Sequence, residues 1–291
     1  MTIVVTGATG NIGRPLVQHL VDAGAKVRAV TRHPGAAALP AGAEAVSDAA
    51  EALEGATAVF LNSRALGPQL ADVVALAARR GVGKLVALSA INADDDDTRQ
   101  PSRYRGDRNR ECEQLAVGSG VPWVSLRPSV FASNFTGMWA VQIQAGDTVA
   151  GPYPAASTAP IADADVAAVA AHALLTDDLV GQRVSLTGPQ ALTNSELVDT
   201  IGSVLGRPLA YRELPAEAVR QRFLGIGLPA EFADAYIAML AATVDTAALV
   251  THDVEKTLDR PATPFATWVR DHSALFTAGG QRLRTRGRPA G

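Results

Sequence analysis

Through the first half of the chain, apolar runs of strand length alternate with segments whose apolar positions recur at helical spacing. Runs at 3–6, 26–31, 43–46, 58–62, 84–89 and 123–127 predict strands, while 11–23, 49–54, 68–80 and 102–118 predict helices. The strands are apolar on both faces, which implies a parallel sheet covered by helices on each side. The expected fold is α/β, a doubly wound parallel sheet.

After Pro128 the rhythm changes. A helix is expected over 134–145, then a loop rich in proline and glycine runs into the alanine-rich helix "PIADADVAAVAAHALL". "RVSLTGP" reads as a further strand near 182–187. Thr193 and Glu196 are spaced as a capping box at the start of the next helix. "LPAEAVRQRFLGIGLPAEFADAYIAML" predicts two more helices, each with a proline in its first turn, and a last one covers 264–276. The expected organisation is a sheet domain over 1–150 with a further strand near 182–187, a smaller, mainly helical lobe over 151–276, and a disordered tail over 277–291.

Composition narrows the function. The chain has 291 residues, 47% of them hydrophobic and 19% charged, enough for one large core or a core and a small lobe. A net charge of −3 creates no global field for nucleic acid or an anionic membrane. No apolar run reaches membrane-spanning length and the N-terminus has no basic leader, so a soluble cytoplasmic protein is expected, monomeric or homodimeric. Cys112, the single cysteine, excludes an internal disulfide and a thiolate zinc cluster. Its neighbours Glu111 and Glu113 raise the thiol pKa and argue against a reactive nucleophile. His19, His33, His172, His252 and His272 have no ligand spacing, and no metal is expected.

The candidate chemistry begins at "TGATGNIG", which follows a strand and opens a helix. Gly7 permits the tight turn, Gly10 lets the backbone approach a pyrophosphate, and Gly13 lets the helix pack close to the strand. Thr9, Asn11 and Ile12 complete the candidate cradle. At the end of the second strand, where a fold selective for NAD carries a carboxylate, stand Thr31 and Arg32. Arg32 can make a charge-assisted contact to a 2′-phosphate, so NADP is the expected cofactor.

The ordered series "TGATGNIG", "VRAVTRHP", "EGATAVFLNS", "KLVALSA", "SGVPWVSLRPSVFASN", "PIADADVAAVAAHALL" and "LTGPQALTNSELVDTIGSVLGRPL" resembles the NmrA-like proteins, atypical short-chain dehydrogenases/reductases. The resemblance spans roughly 1–276 and implies a Rossmann domain with a small C-terminal lobe closing over the nicotinamide. It implies that Asn62, Ser63 and Arg64 lie beside the cofactor, that Ser89 and Ala90 sit near the nicotinamide, and that Pro128 flanks its face.

Active reductases of the superfamily resemble one another in a Ser/Thr and a Tyr-x-x-x-Lys, the tyrosine giving a proton to the carbonyl. Aligned by "ECEQLAVGSGVPW", the tyrosine, lysine and serine positions fall on Arg105, Asn109 and Ile91. Tyr104, one residue out of register, and Ser89 are the remaining catalytic candidates. The four carboxylates Asp94–Asp97 read as a solvated turn. Two functions follow. One is an NADPH-dependent reductase of a substrate needing little acid help, a quinone or an aromatic, polyketide-like ketone. The alternative is a non-catalytic, NADP-sensing regulator of the NmrA type.

Overall fold

The computed structural model describes residues 1–277. Apart from Thr277, the tail expected over 277–291 lies outside them. The first half runs β1 (Thr2–Thr6), α1 (Gly13–Asp22), β2 (Lys26–Val30), β3 (Ala43–Val46), α2 (Ala49–Ala52), β4 (Ala58–Asn62), α3 (Ser63–Leu66), α4 (Leu70–Arg79), β5 (Lys84–Leu88), α5 (Asn109–Gly118) and β6 (Trp123–Pro128). The second half runs α6 (Ala132–Ala145), β7 (Thr148–Gly151), β8 (Ser157–Thr158), α7 (Asp163–Leu175), β9 (Arg183–Leu186), β10 (Leu192–Thr193) and α8 (Asn194–Leu205). It closes with β11 (Ala210–Glu213), α9 (Ala216–Gly225), α10 (Ala230–Ala241), α11 (Asp253–Leu258) and α12 (Phe265–Asp271).

A seven-stranded parallel sheet in the order β3-β2-β1-β4-β5-β6-β9 forms the centre. The alternation of side chains splits its apolar residues between two faces. Ile3, Val5, Phe60 and Val86 pack with α1 and α7, while Val4, Val59, Leu61 and Leu85 pack with α2, α4 and α5. A third core, built on Phe135, Trp139, Ile143, Leu197, Ile201, Phe265 and Trp268, holds the C-terminal lobe together. The chain order reverses between β1 and β4, and there the crevice of a doubly wound sheet opens.

The packing differs from the sequence reading in three places. The cut expected at residue 150 is not followed: α7 shares the core of the large sheet, whereas β7 pairs with β11 of the lobe. The helix expected over 102–118 begins at Asn109; the segment before it forms 3-10 turns at Asp97–Arg99 and Pro101–Arg105, stopped by Gly106 at φ 98°. The capping box at Thr193 and Glu196 forms as expected, but Pro215 and Pro229 cap α9 and α10 from the position before the first turn. Among the described residues no helix is long and apolar enough to cross a membrane.

Two buried carboxylates tie distant segments together. Asp165, 1% exposed, accepts from the Thr263 N–H at 2.7 Å and from Arg260 at 2.8 Å, joining α7 to the segment before α12. Glu113 of α5 accepts from Ser125 at 2.5 Å, from Arg127 at 2.8 and 2.6 Å, and from Arg183 at 2.6 Å, joining α5 to β6 and β9. Burial works to raise the Glu113 pKa, but Arg127, Ser125 and Arg183 outweigh it and hold the carboxyl at about 2, against an ordinary 4.5.

Removing that charge leaves Arg127 and Arg183 facing a neutral amide. Glu113→Gln is expected to cost about 3 kcal/mol at pH 7, read from urea unfolding. The wild type's advantage is fully present above pH 4.5, the unfolded value, and disappears as pH falls through the folded value near 2. A stability difference that does not shrink between pH 5 and pH 2 would contradict this account.

Candidate active site

The glycine loop is shaped by backbone contact. Gly7 has φ 71°, a left-handed conformation, and its carbonyl accepts from the Gly10 N–H at 3.0 Å. The Ala8 N–H donates to Val30 at 3.4 Å, which holds the loop against β2 two residues before Arg32. A Cβ on Gly13 would lie 2.2 Å from the Gly7 carbonyl oxygen and 2.7 Å from the Ala8 Cα. A Cβ on Gly10 would meet only the Gly7 oxygen, at 3.3 Å, and otherwise open space. The α1 N-terminus has no side-chain cap and no acidic residue in its first turn, leaving its positive end exposed to the crevice.

The other candidates divide. Thr9, Gly10 and Asn11 stand on the open side of the loop, but Ile12 buries its side chain in the core, so only its backbone can face a ligand. The Thr9 carbonyl accepts from Arg14 at 2.9 Å. Arg32 is exposed and forms no ion pair among the described residues. Asn62 accepts from the Ala65 N–H at 3.1 Å, and its amide nitrogen lies 3.1 Å from the place of a Gly7 Cβ. Its own N–H donates to Thr6 at 2.8 Å, which pins β4 beside β1 at the crevice.

Residues 107–109 sit directly over the ends of β4 and β5. Ser63 accepts from the Arg108 N–H at 2.9 Å, and the Ser89 hydroxyl donates to the Asn109 carbonyl at 3.3 Å. Arg64 faces Asp107 at 3.8 Å. Pro128 is buried at the end of β6, where its carbonyl accepts from the Ile91 N–H at 2.9 Å; the Ala90 carbonyl accepts from Ala93 at 3.0 Å.

Tyr104 belongs to the Pro101–Arg105 turn, before α5 and not on it, and α10 packs across this turn. The four carboxylates form the solvated turn expected, and some of them are also paired: Asp94 binds Arg127 at 2.6 Å, and Asp97 binds Arg103 at 3.0 Å and Arg110 at 3.3 Å. Cys112 is on the buried face of α5, its thiol pushed up to about 12 by that burial and by Glu113 and Glu111.

Sequence reasoning passed over Asp107, whose carboxyl burial holds above its usual range against Arg64, Arg105 and Arg108. Its signal was the turn "RGD" before the helix. It also passed over Ser133, which donates to Asp163 at 2.9 Å and accepts from Asn11 at 3.4 Å, linking the glycine loop to α6 and α7. Phe223, Phe232 and Tyr236 form an aromatic group across α9 and α10, with ring centroids 5.1–6.3 Å apart.

Residues 1–265 match the pattern of the NmrA-like family. The chain belongs to that family. Over 284 residues it is 36% identical to a (4-alkanoyl-5-oxo-2,5-dihydrofuran-3-yl)methyl phosphate reductase of Streptomyces griseus, covering 94% of this chain and 99% of the relative. It is 31% identical to an NAD(P)H azoreductase of Xenophilus azovorans, covering 95% and 99%. In structure it resembles an NADPH-dependent quinone oxidoreductase of Escherichia coli solved with NADPH, with TM-score 0.78, 21% identity, and coverage of 94% and 100%.

Two of the three glycines of this NmrA-like loop should respond differently to one added methyl group. Gly13→Ala forces backbone apart and is expected to destabilise by on the order of 3 kcal/mol, whereas Gly10→Ala costs less than about 1 kcal/mol. Thermal unfolding of both variants checks this; equal losses would contradict the backbone contact at Gly13.

Proposed function

We propose that this protein is an NADPH-dependent reductase of small conjugated carbonyl compounds, a quinone or an aromatic ketone. The observation that carries the reading is the open space beside Gly10 at the uncapped start of α1, with Arg32 exposed and without an ion pair among the described residues. Support comes from relatives named as reductases that match nearly the whole chain, one acting on a furanone methyl phosphate.

The residues fit a phosphorylated dinucleotide. The α1 N-terminus and the free N–H groups near Gly10 meet the pyrophosphate, and the space beside Gly10 leaves room for it. Arg32 meets the 2′-phosphate. Asn62, held by its contacts to Thr6 and Ala65, keeps the floor of the crevice closed. When bound, the reduced nicotinamide supplies a hydride.

The balancing proton is the less furnished part. The Ser89 hydroxyl is 2% exposed and already donates to Asn109, so it does not point its proton at a ligand. With Arg105 and Asn109 at the superfamily's tyrosine and lysine positions, the substrate's own hydroxyl or water delivers the proton. A guanidinium cannot act as the acid. Quinones and ketones beside a phenol suit this arrangement, because their developing oxyanion is stabilised internally and the chain need only position them.

Arg32→Ala is expected to weaken NADPH binding about 10- to 100-fold by calorimetry and to leave NADH binding unchanged. Unchanged NADPH affinity would sink the assignment of Arg32. In an NADPH-oxidation assay, Tyr104→Phe should lower turnover of a hydroxyaryl ketone far less than the ~10²- to 10⁴-fold typical of losing a general acid. The methyl ether of that ketone should be reduced poorly. Near-complete loss in Tyr104→Phe would restore the tyrosine as acid. Tight NADPH binding with no oxidation across a panel of quinones and ketones would favour a sensor.

A further inference from the structure

The segment before and into α5 is dense in arginine, and most of that charge is neutralised. Arg99 pairs with Asp95 at 3.9 Å, Arg103 with Asp97 at 3.0 Å and Glu111 at 2.6 Å, and Arg110 with Asp97 at 3.3 Å. Arg105 and Arg108 have no such partner among the described residues. Next to them Asp107 lies 3.8 Å from Arg64, and the Arg108 guanidinium donates to the backbone carbonyls of Arg103 and Asp107, each at 2.8 Å.

The placement gives this charge a role. Arg108 caps α5 with no side-chain hydrogen bond, so the positive end of a ten-residue helix points the same way. The Arg108 N–H is fixed to Ser63, and the next residue's carbonyl to Ser89, so the set stands over the ends of β4 and β5. Arg105 lies 6.0 Å from the centre of the Phe232 ring, so α10 of the lobe forms the outer wall. Arg64 is 52% exposed, and Arg105 and Arg108 are exposed as well. Arg64 is paired with Asp107, so Arg105 and Arg108 are left as two guanidinium charges with no carboxylate at ion-pair distance among the described residues. A phosphate monoester, carrying about −1.5 to −2 near neutral pH, balances that excess, and a carboxylate does not. Guanidinium groups are also the side chains best shaped for phosphate oxygens.

We propose that Arg64, Arg105 and Arg108 form an anion subsite that takes a phosphate monoester on the substrate, so that the preferred substrate is a phosphorylated carbonyl compound. The carbonyl half of this statement rests on the reductase reading; the phosphate half rests on the arginine set alone.

The test uses the full-length protein saturated with NADP⁺ and two probes, 4-acetylphenyl phosphate and 4-hydroxyacetophenone, titrated by calorimetry. The phosphate probe should bind at least about 10-fold more tightly, and Arg105→Ala with Arg108→Ala should abolish that preference while NADP⁺ affinity and the binding of 4-hydroxyacetophenone stay unchanged. Lysine at both positions should restore part of it, which separates charge from fold. Asp107→Asn should tighten the phosphate probe by about 3-fold, since it removes the opposing charge. Equal affinity of the wild type for both probes would overturn the proposal. So would a loss of NADP⁺ affinity in the double alanine variant, which would assign the arginines to the cofactor's phosphates. Arginine-dependent probe binding without NADPH oxidation by either probe upholds the subsite and counts against the reductase reading.

Discussion

The contact of Gly13 with the turn at Gly7 and Ala8 fixes the rest of the crevice. A carbonyl oxygen sits where a side chain on residue 13 would begin, so helix and strand meet at backbone distance. That closeness lets Leu16, Val17 and Leu20 reach the face of the sheet shared with α7. It also leaves the first turn of α1 bare at the point where the strand order reverses. Asn62 then occupies the gap behind Gly7, and β4 hands the chain on to Ser63 and Arg64. A small residue at one position thus sets the floor, the back wall and the mouth of the site.

The sheet and the glycine loop were legible because each rests on short-range rules. Apolar runs with helices between them announce parallel strands, and glycines after a strand announce a turn with a helix to follow. The small pairs β7–β11 and β8–β10 were not legible, since strands of two to four residues carry no periodicity of their own. The α7 helix was assigned to the wrong side of the boundary for a related reason. An alanine-rich helix whose partly exposed stripe is itself mostly apolar, at Ala164, Ala168, His172 and Leu175, gives no polar face to say which core it joins.

The segment 92–110 was the hardest to read. Its carboxylates and arginines look like a solvated stretch when taken in order, and while staying partly exposed they form ion pairs between residues 4 to 33 positions apart. Helical spacing continued upstream of Asn109 on paper, but Pro101 and Gly106 divide that stretch into 3-10 turns. The register of Tyr104 relative to α5 therefore depends on turn geometry, which no count of residues supplies. Asp107 and its neighbouring arginines meet Arg64 and Ser89 only because β4 and β5 end beneath them.

The Asp165 clamp has a bearing on the life of the chain before it is finished. This carboxylate belongs to a helix central to the sheet, yet its partners, Arg260 and Thr263, lie almost a hundred residues later. β9, the last strand of the sheet, is likewise made only after the chain has passed through α6 and α7. During synthesis the first 180 residues therefore emerge with an open sheet edge and an acidic group whose native partners do not yet exist. An unpaired charge is costly to bury, so α7 has reason to stay loosely docked until the C-terminal segment arrives. Closure of the large domain thus waits on residues 260–263, which makes the synthesis of that segment a checkpoint for the fold.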